Sequence, residues 1–567
     1  MSHPASSLTY DPEVSLRVLL VYPNTWDVAL ANLGFQRVRH ILNRIEGVEC
    51  DLLALPEDWT PEVQKLSPTD MRSRFIGRQP REFDMIAFSI SFEPDYLNVV
   101  TQLDYFGVPL ERESRDNSHP LILAGGSAVF INPEPLADFV DVFFIGEAEG
   151  LAERFFRLFV ALPRKAFRDQ LEESTAIPGI YIPQFYHCRY EGKEQTGLES
   201  QNSAPARVMR YWVEDESQLI THSTLHNCNT AFKDMALLEA TRGCIWACRF
   251  CTAGFIYRPP RLPDLEATYD SLSKRLKEDD QNNRVIGLVG PSVTDHPELL
   301  PLARRLVDEG KRLSFSSLRM ETLNDELVDL MVRSGQKTVT VAVDAPSERM
   351  REVVNKVATD EFVLSKCRFL AEKGIQHIKI YSIIGLPGET EEDIDEFIEL
   401  IRRVQKSYIE ACRSRGSAGK ITIGLSPLIP KPGTPFQWHP MERVDVLKKR
   451  FMRLRKVITR IPNVQPSFGS PNEAYLQTYL SRGDRRLSSF FKSYLENRGD
   501  VKRALRQTQP HPDKFVYRQY REKDFLPWDI VDHGYRNEFL WREYQRGLQE
   551  LRTPVCDTAT CKICGVC

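Results

Sequence analysis

Glu239–Arg261 reads "EATRGCIWACRFCTAGFIYRPPR" and places Cys244, Cys248 and Cys251 in a C-x3-C-x2-C spacing. Thiolates are the usual protein ligands of iron–sulfur clusters, and three of them on a four-iron cluster leave one iron without a protein ligand. An open coordination position is where a metal centre receives its substrate. The loop therefore reads as a centre built to take a ligand.

The flanking sequence places that loop in a fold. From Met235 to about Arg460 the stretches "MALLEA", "RVIGLVG", "RLSFSSLR", "KTVTVAVD", "HIKIYSIIG" and "KITIGLSP" are strand candidates, each followed by a helical pattern or a loop leading to one. Such a run of βα units predicts a parallel sheet, partly closed as a (βα)6 TIM-type barrel, with chemistry on the loops after the strands. The three-cysteine loop follows the first strand and so lies at the active end.

Upstream, "SLRVLLVYP", "DMIAFSIS", "LILAGGS" and "DVFFIG" are buried-strand candidates set among helical periodicity. They predict an α/β, doubly wound (Rossmann-like) domain with a mostly parallel sheet. Ligands of such sheets lie beyond the strand C-termini, which puts Pro23–Asp27, Ser89–Glu93, Gly125–Ser127 and Gly146–Glu147 on one rim. The expected organisation is residues 1–163 as this domain, 164–232 as a linker or hairpin segment, 233–460 as the barrel, and 461–567 as a mostly helical region ending in four cysteines.

The 567 residues suggest about three or four domains. With 42% hydrophobic and 27% charged residues, no apolar run of membrane-spanning length and no signal-like N-terminus, the chain reads as cytoplasmic with no membrane partner. Cysteines in such a chain favour metal or redox use over disulfides. Cys50, Cys188, Cys228, Cys367 and Cys412 are isolated and read as small buried hydrophobes. The net charge of −3 is unevenly divided. Residues 441–567 carry 25 Lys and Arg against 15 Asp and Glu, and the remainder 50 against 63. Solvated helix faces account for a basic region of this kind; an anionic partner such as RNA is the alternative.

With Phe250 before the third cysteine and a βα series behind it, this loop resembles that of the radical S-adenosylmethionine (radical SAM) superfamily. The resemblance implies a [4Fe-4S] cluster on Cys244, Cys248 and Cys251, with SAM chelated at the open iron. It further implies reductive cleavage to a 5′-deoxyadenosyl radical and a one-electron reductant of the flavodoxin or ferredoxin kind. "IKIYSIIGLPGET" is similar to the family's fifth-strand segment, which passes the SAM adenine, with Gly385 and Gly388 allowing close approach. "TEED" from Thr390 to Asp393 resembles a capping box with Asp for Glu. The resemblance assigns Asp344 to the ribose hydroxyls and Arg319 to the SAM carboxylate. Where the family often has Gly-Gly-Glu after the second strand, this chain has "LVGPSVTD": Gly290 remains and no acid follows directly.

The N-terminal region, with "NPEPLADFVDVFFIGEAEG", resembles the cobalamin-binding-like half of one largely uncharacterised branch, which also shares "SLRMETL", "PKPGTPFQW" and "RGDRR". The likeness covers nearly all of the chain. No His-x-x-Gly is present to supply a lower cobalamin ligand, so cobalamin either binds without it or the domain serves in docking.

"CDTATCKICGVC" ends the chain with Cys556, Cys561, Cys564 and Cys567. A second iron–sulfur cluster, tetrahedral zinc and a tail of free thiols all fit the spacing, with the cluster favoured. The expected function is a radical SAM enzyme acting on an RNA, a protein side chain or a small metabolite. Cobalamin-dependent methyl transfer is the alternative within that class. A non-enzymatic iron–sulfur or zinc protein that binds RNA or carries electrons is the alternative outside it.

Overall fold

The structure is a computed structural model describing residues 14–60, 71–225, 230–232, 235–278, 285–316, 318–413, 416, 418–536 and 538–567. Cys228 lies outside the described residues.

The N-terminal sheet contains β1 (Leu16–Thr25), β2 (Val48–Leu55), β3 (Met85–Ser89), β4 (Leu121–Gly125), β5 (Val142–Phe144) and β6 (Ile180–Tyr181), in the order β2-β1-β3-β4-β5-β6. The first five are parallel and β6 joins β5 antiparallel. Leu19 and Val21 enter one buried cluster, while Leu16, Val18 and Leu20 enter another. This alternation shows that both faces of β1 are covered, which is why parallel strands read as continuous apolar runs. The chain order changes direction between β1 and β3, the position where doubly wound sheets open a crevice for ligands. Gly126 opens the turn after β4 at φ +107. A Cβ there would lie 2.4 Å from the carbonyl oxygen of Ile90, so only glycine allows the approach.

Within the segment 164–232, β7 (Tyr186–Glu191) and β8 (Glu194–Ser200) form an antiparallel hairpin. Further on, β9 (Val208–Met209) pairs with a distant C-terminal strand described below.

The second half contains β10 (Met235–Glu239), β11 (Val285–Val289), β12 (Leu313–Phe315), β13 (Thr338–Asp344), β14 (His377–Ile384), β15 (Lys420–Pro427) and β16 (Val464–Phe468). These coincide with the six strands read from sequence and add a seventh, β16. They form a three-stranded sheet, β10-β11-β12, and a four-stranded one, β13-β14-β15-β16, with every pairing parallel. The barrel is thus interrupted between β12 and β13, where a hollow of about 280 Å³ is lined by Leu313, Ser314, Ser316, Thr338 and Thr340. The helix Glu391–Cys412 begins where the capping box was read: Asp393 accepts from the Thr390 backbone N–H at 2.8 Å.

The C-terminal region is mostly helical, and its β17 (Val531–Asp532) is the partner of β9. Two motifs that the sequence left unexplained meet here. Asn132 Nδ2 donates to the carbonyls of Ser481 and Gly483 at 3.0 and 2.8 Å. Glu134 is buried and pairs with Arg485 at 3.2 Å. "NPEP" and "RGDRR" therefore lock the first domain to the last region. No helix among the described residues is long and apolar enough to cross a membrane.

Candidate active site

The three-cysteine loop leaves β10 and is closed at its base by a backbone bridge. Arg242 N–H donates to the Arg261 carbonyl at 3.0 Å, and Arg261 N–H to the Arg242 carbonyl at 2.8 Å. Both arginines then reach into the N-terminal domain. Arg261 places two nitrogens on Glu147, at 2.7 and 2.5 Å. Arg242 pairs with Glu149 at 3.1 Å, with Glu239 at 2.7 Å and with Glu147 at 3.4 Å. Glu147 and Glu149 are 5% and 6% exposed, so the clamp is almost dry. Charge-assisted, forked pairs in such surroundings fix geometry as well as hold. Sequence reading placed Glu147 on the rim and missed the clamp, because its partners lie about a hundred residues away.

Inside the loop, Cys244 and Cys248 are buried and Cys251 is half-buried. The three thiols act on one another electrostatically. Burial, then Cys248 and Cys244, push the Cys251 thiol up to about 12. Burial also raises Cys248, and the nearby Lys356 and Arg319 oppose it. Burial works to discharge Lys356, but Asp344 and Cys248 outweigh it and keep the ammonium charged. Arg319 stacks its guanidinium 3.7 Å above the Trp246 ring and donates to Glu321 at 2.8 Å. Its Nε, and Glu321 Oε2, are buried with no hydrogen-bond partner. Among the described residues, no three His, Cys, Asp or Glu side chains stand close enough to share one metal ion. Thiolates of a multi-iron cluster each bind a different iron and stand farther apart than the ligands of one ion. Three coupled thiols, two cations to offset anionic charge and an orphaned guanidinium nitrogen fit a [4Fe-4S] cluster with an amino-acid carboxylate beside it.

The structure brings some of the residues expected for SAM to this loop and not others. Arg319 and Asp344 both act on Cys248. Asp344 has φ +66 at the end of β13, and its carboxylate pairs with Lys356 Nζ at 3.1 Å. Gly290 packs against Thr241, whose Oγ1 would lie 2.4 Å from a Cβ at that position. Phe250 packs against a separate buried cluster, the one that includes Met350 and Trp528. A Cβ at Gly385 would meet Glu442 and Leu447, so that glycine admits the helix Val444–Ile458; Gly388 has open space in its place. The acid absent directly after β11 stands a few residues on: Asp295 accepts from Trp246 Nε1 at 2.8 Å and lies beside Arg319 and Ser292. Ser292 hydrogen-bonds Cys244.

A cavity of about 540 Å³ joins the two domains. One wall is the expected rim, with Ser89, Ser91, Gly126 and Ser127; the other includes Thr241, Ala253, Tyr257 and Gly290. The Pro23–Asp27 part of the rim does not line it. Glu147 and Glu149 lie at the junction.

The remaining described cysteines fit the reading as buried hydrophobes in three cases and depart from it at Cys188. Cys50, Cys367 and Cys412 are buried, while Cys188 is half-buried with its thiol 3.8 Å from Glu134. Residues 34–183 match the family described as "Radical SAM proteins, N-terminal", and residues 238–401 match the "Radical SAM superfamily". The chain belongs to the radical SAM superfamily and is an enzyme of that class, for which a [4Fe-4S] cluster and SAM are the cofactors. An uncharacterised protein of Methanocaldococcus jannaschii is 28% identical over 429 residues, covering 75% of this chain and 84% of that one. The tRNA-2-methylthio-N(6)-dimethylallyladenosine synthase of Aquifex aeolicus is 25% identical over 234 residues, 39% of this chain and about half, 49%, of its own length. Among solved structures, the radical SAM methyltransferase TsrM of Kitasatospora setae, with cobalamin and a [4Fe-4S] cluster, has a TM-score of 0.47 at 14% identity, covering 82% of this chain and 85% of that one.

Proposed function

We propose that the chain is a cytoplasmic radical SAM enzyme that modifies its substrate in the cavity between the cysteine loop and the N-terminal rim. The observation that carries this reading is that residues of both domains line one cavity beside the loop. When bound, the cluster and SAM supply one electron and a 5′-deoxyadenosyl radical. Cys244, Cys248 and Cys251 would hold the cluster, and Arg319 would take the SAM carboxylate through its unpartnered Nε. Lys356 and Arg319 offset the negative charge of the thiolates. Phe130, Phe144 and Tyr257 in the cavity walls exclude water, which protects a reactive intermediate from quenching. The reductant is a low-potential one-electron protein of the flavodoxin or ferredoxin kind. Among substrates, RNA is favoured by the tRNA-directed activity of the Aquifex relative.

Cobalamin-dependent methyl transfer is the second reading, favoured by a cavity at the C-terminal rim of a doubly wound sheet. No histidine is among the lining residues, so cobalamin would bind without a protein imidazole.

The test is anaerobic reconstitution with iron and sulfide, addition of SAM and a strong reductant, and chromatography of the products. 5′-Deoxyadenosine from the native chain and none from the Cys244→Ala, Cys248→Ala, Cys251→Ala variant is the expected result. S-adenosylhomocysteine formed only with added cobalamin selects the second reading. Neither product, from a chain that binds both cluster and SAM, rejects both.

A further inference from the structure

The C-terminal cysteine segment does not hang free. It lies along the outside of the three-cysteine loop and is bound by the residues between those cysteines. Cys556 N–H donates to the Ile245 carbonyl at 2.8 Å. Asn355 Nδ2 donates to both Ala247 and Thr553 carbonyls at 3.2 Å, and Thr553 N–H returns to Asn355 Oδ1 at 2.8 Å. Arg249, fully buried between Cys248 and Cys251, donates to the Leu551 carbonyl at 2.6 Å and to Thr553 Oγ1 at 3.0 Å. Farther along, Arg536 N–H donates to the Cys564 carbonyl at 2.8 Å, and Cys564 packs with Ala247, Phe255 and Phe539. The buried Arg258 donates Nε to the Gly254 carbonyl at 2.7 Å and hydrogen-bonds Cys564.

All four terminal cysteines are gathered here. Cys561, Cys564 and Cys567 all lie near enough to Cys556 to act on its thiol, and Cys564 and Cys561 act on Cys567 in turn. Ile245 adjoins Cys244, so one residue step and one backbone hydrogen bond separate Cys244 from Cys556. Their Cα atoms are therefore no more than about 10 Å apart. Clusters held by cysteines so placed are neighbours, with no intervening protein layer to need a carrier. Cys567 is exposed and Cys561 half-buried, so the outer edge of the segment is open to solvent. None of the four lines the cavity between the domains. That placement suits entry of electrons rather than contact with the molecule being modified.

We propose that Cys556, Cys561, Cys564 and Cys567 ligate a second iron–sulfur cluster that relays electrons, one at a time, from an external one-electron redox protein to the cluster on Cys244, Cys248 and Cys251. The relay rests on the radical SAM reading above. In each passage the donor loses one electron, the tail cluster gains and then surrenders it, and the inner cluster ends reduced by one; no bond or proton changes place. Arg258 offsets part of the charge of the tail thiolates, and the shared backbone contacts hold the two sites at fixed separation.

Full-length protein would be reconstituted anaerobically as the native chain, the triple Cys244, Cys248, Cys251→Ala variant, the quadruple tail Cys→Ser variant, and Cys567→Ser alone. Iron, sulfide and zinc would be counted, and the reduced state read by electron paramagnetic resonance. The native chain is expected to hold about twice the iron of either multiple variant. The triple variant should give a signal that SAM does not alter. Mixing with reduced flavodoxin and freeze-quenching should then show the SAM-sensitive signal forming roughly ten-fold or more slowly in the quadruple variant, with equal amplitude under dithionite. Zinc in the tail, no metal in the tail, or equal rates with flavodoxin overturns the proposal. If the quadruple variant loses the inner signal even with dithionite, Cys567→Ser decides. An altered tail signal with slowed flavodoxin reduction supports the relay, and an unchanged rate sinks it. A native chain with iron in the tail but no SAM-sensitive signal counts against the radical reading and leaves the tail site standing.

Discussion

Replacing Arg261 by methionine would strand a buried carboxylate. Arg261 is 2% exposed and gives Glu147 two hydrogen bonds, with a third to the Val213 carbonyl at 2.9 Å. Removing one partner of a buried pair costs about 3–5 kcal/mol. Glu147 would keep Arg242 at 3.4 Å and the Val213 N–H at 2.9 Å, which places the expected loss near the lower end, about 3 kcal/mol. The Arg261 guanidinium lies 5.3 Å from the Trp212 ring centre, so among the seven tryptophans the fluorescence difference between each chain and its Trp212→Phe counterpart reports the clamp. In urea, the transition followed by Trp212 should shift down by about 1 M or more. The double variant Glu147→Leu, Arg261→Met leaves neither charge of the pair unpaired and should regain about 1–2 kcal/mol over the single. A single-variant loss below about 1 kcal/mol, or strict additivity in the double, would refute the reasoning that the clamp holds the domains through desolvated charge.

Gly126→Ala must push its methyl into the Ile90 backbone and should cost at least about 2 kcal/mol in urea unfolding, since neither segment is a flexible side chain. Arg249→Met should release the C-terminal segment, seen as faster removal of the last residues in limited proteolysis while the N-terminal domain stays intact. Burial holds the His439 imidazole down at about 4 and His533 at about 3. The unfolded chain takes up these protons near pH 6.5 and the folded chain does not, so stability falls as pH drops from about 6.5 towards 4. The double variant His439→Asn, His533→Asn should show a flatter urea-midpoint profile over that window, and an unchanged slope would remove these histidines from the account.

Much of the architecture is visible in the sequence because parallel strands buried on both faces are continuous apolar runs. The strands that escaped are those that break this rule. "VECDLLAL" of β2 contains Asp51, which is buried and accepts the backbone N–H groups of Phe75 and Ile76. "VQPSF" of β16 is polar and carries Pro466, tolerated because β16 is the sheet's edge. At the site, the cysteine spacing is local and can be read directly. Glu147, Glu149, Arg242 and Arg261 are ordinary charged residues until the fold brings distant segments together. Arg249 looks like spacing between two ligands, although its side chain anchors the end of the chain. Gly385 adds a demand that the motif does not reveal, since its missing Cβ also makes room for Glu442 and Leu447.

The interlock of Asn132 and Glu134 with residues 481–485 sets a timetable for biosynthesis. Glu134 and Arg485 are 351 positions apart. At translation rates of about 5–20 residues per second, the first domain waits roughly 20–70 s for the arginine that neutralises its interior carboxylate. Throughout that interval Glu134 has the Tyr181 hydroxyl and the Cys188 thiol but not its arginine, and Phe139 waits uncovered for Phe491.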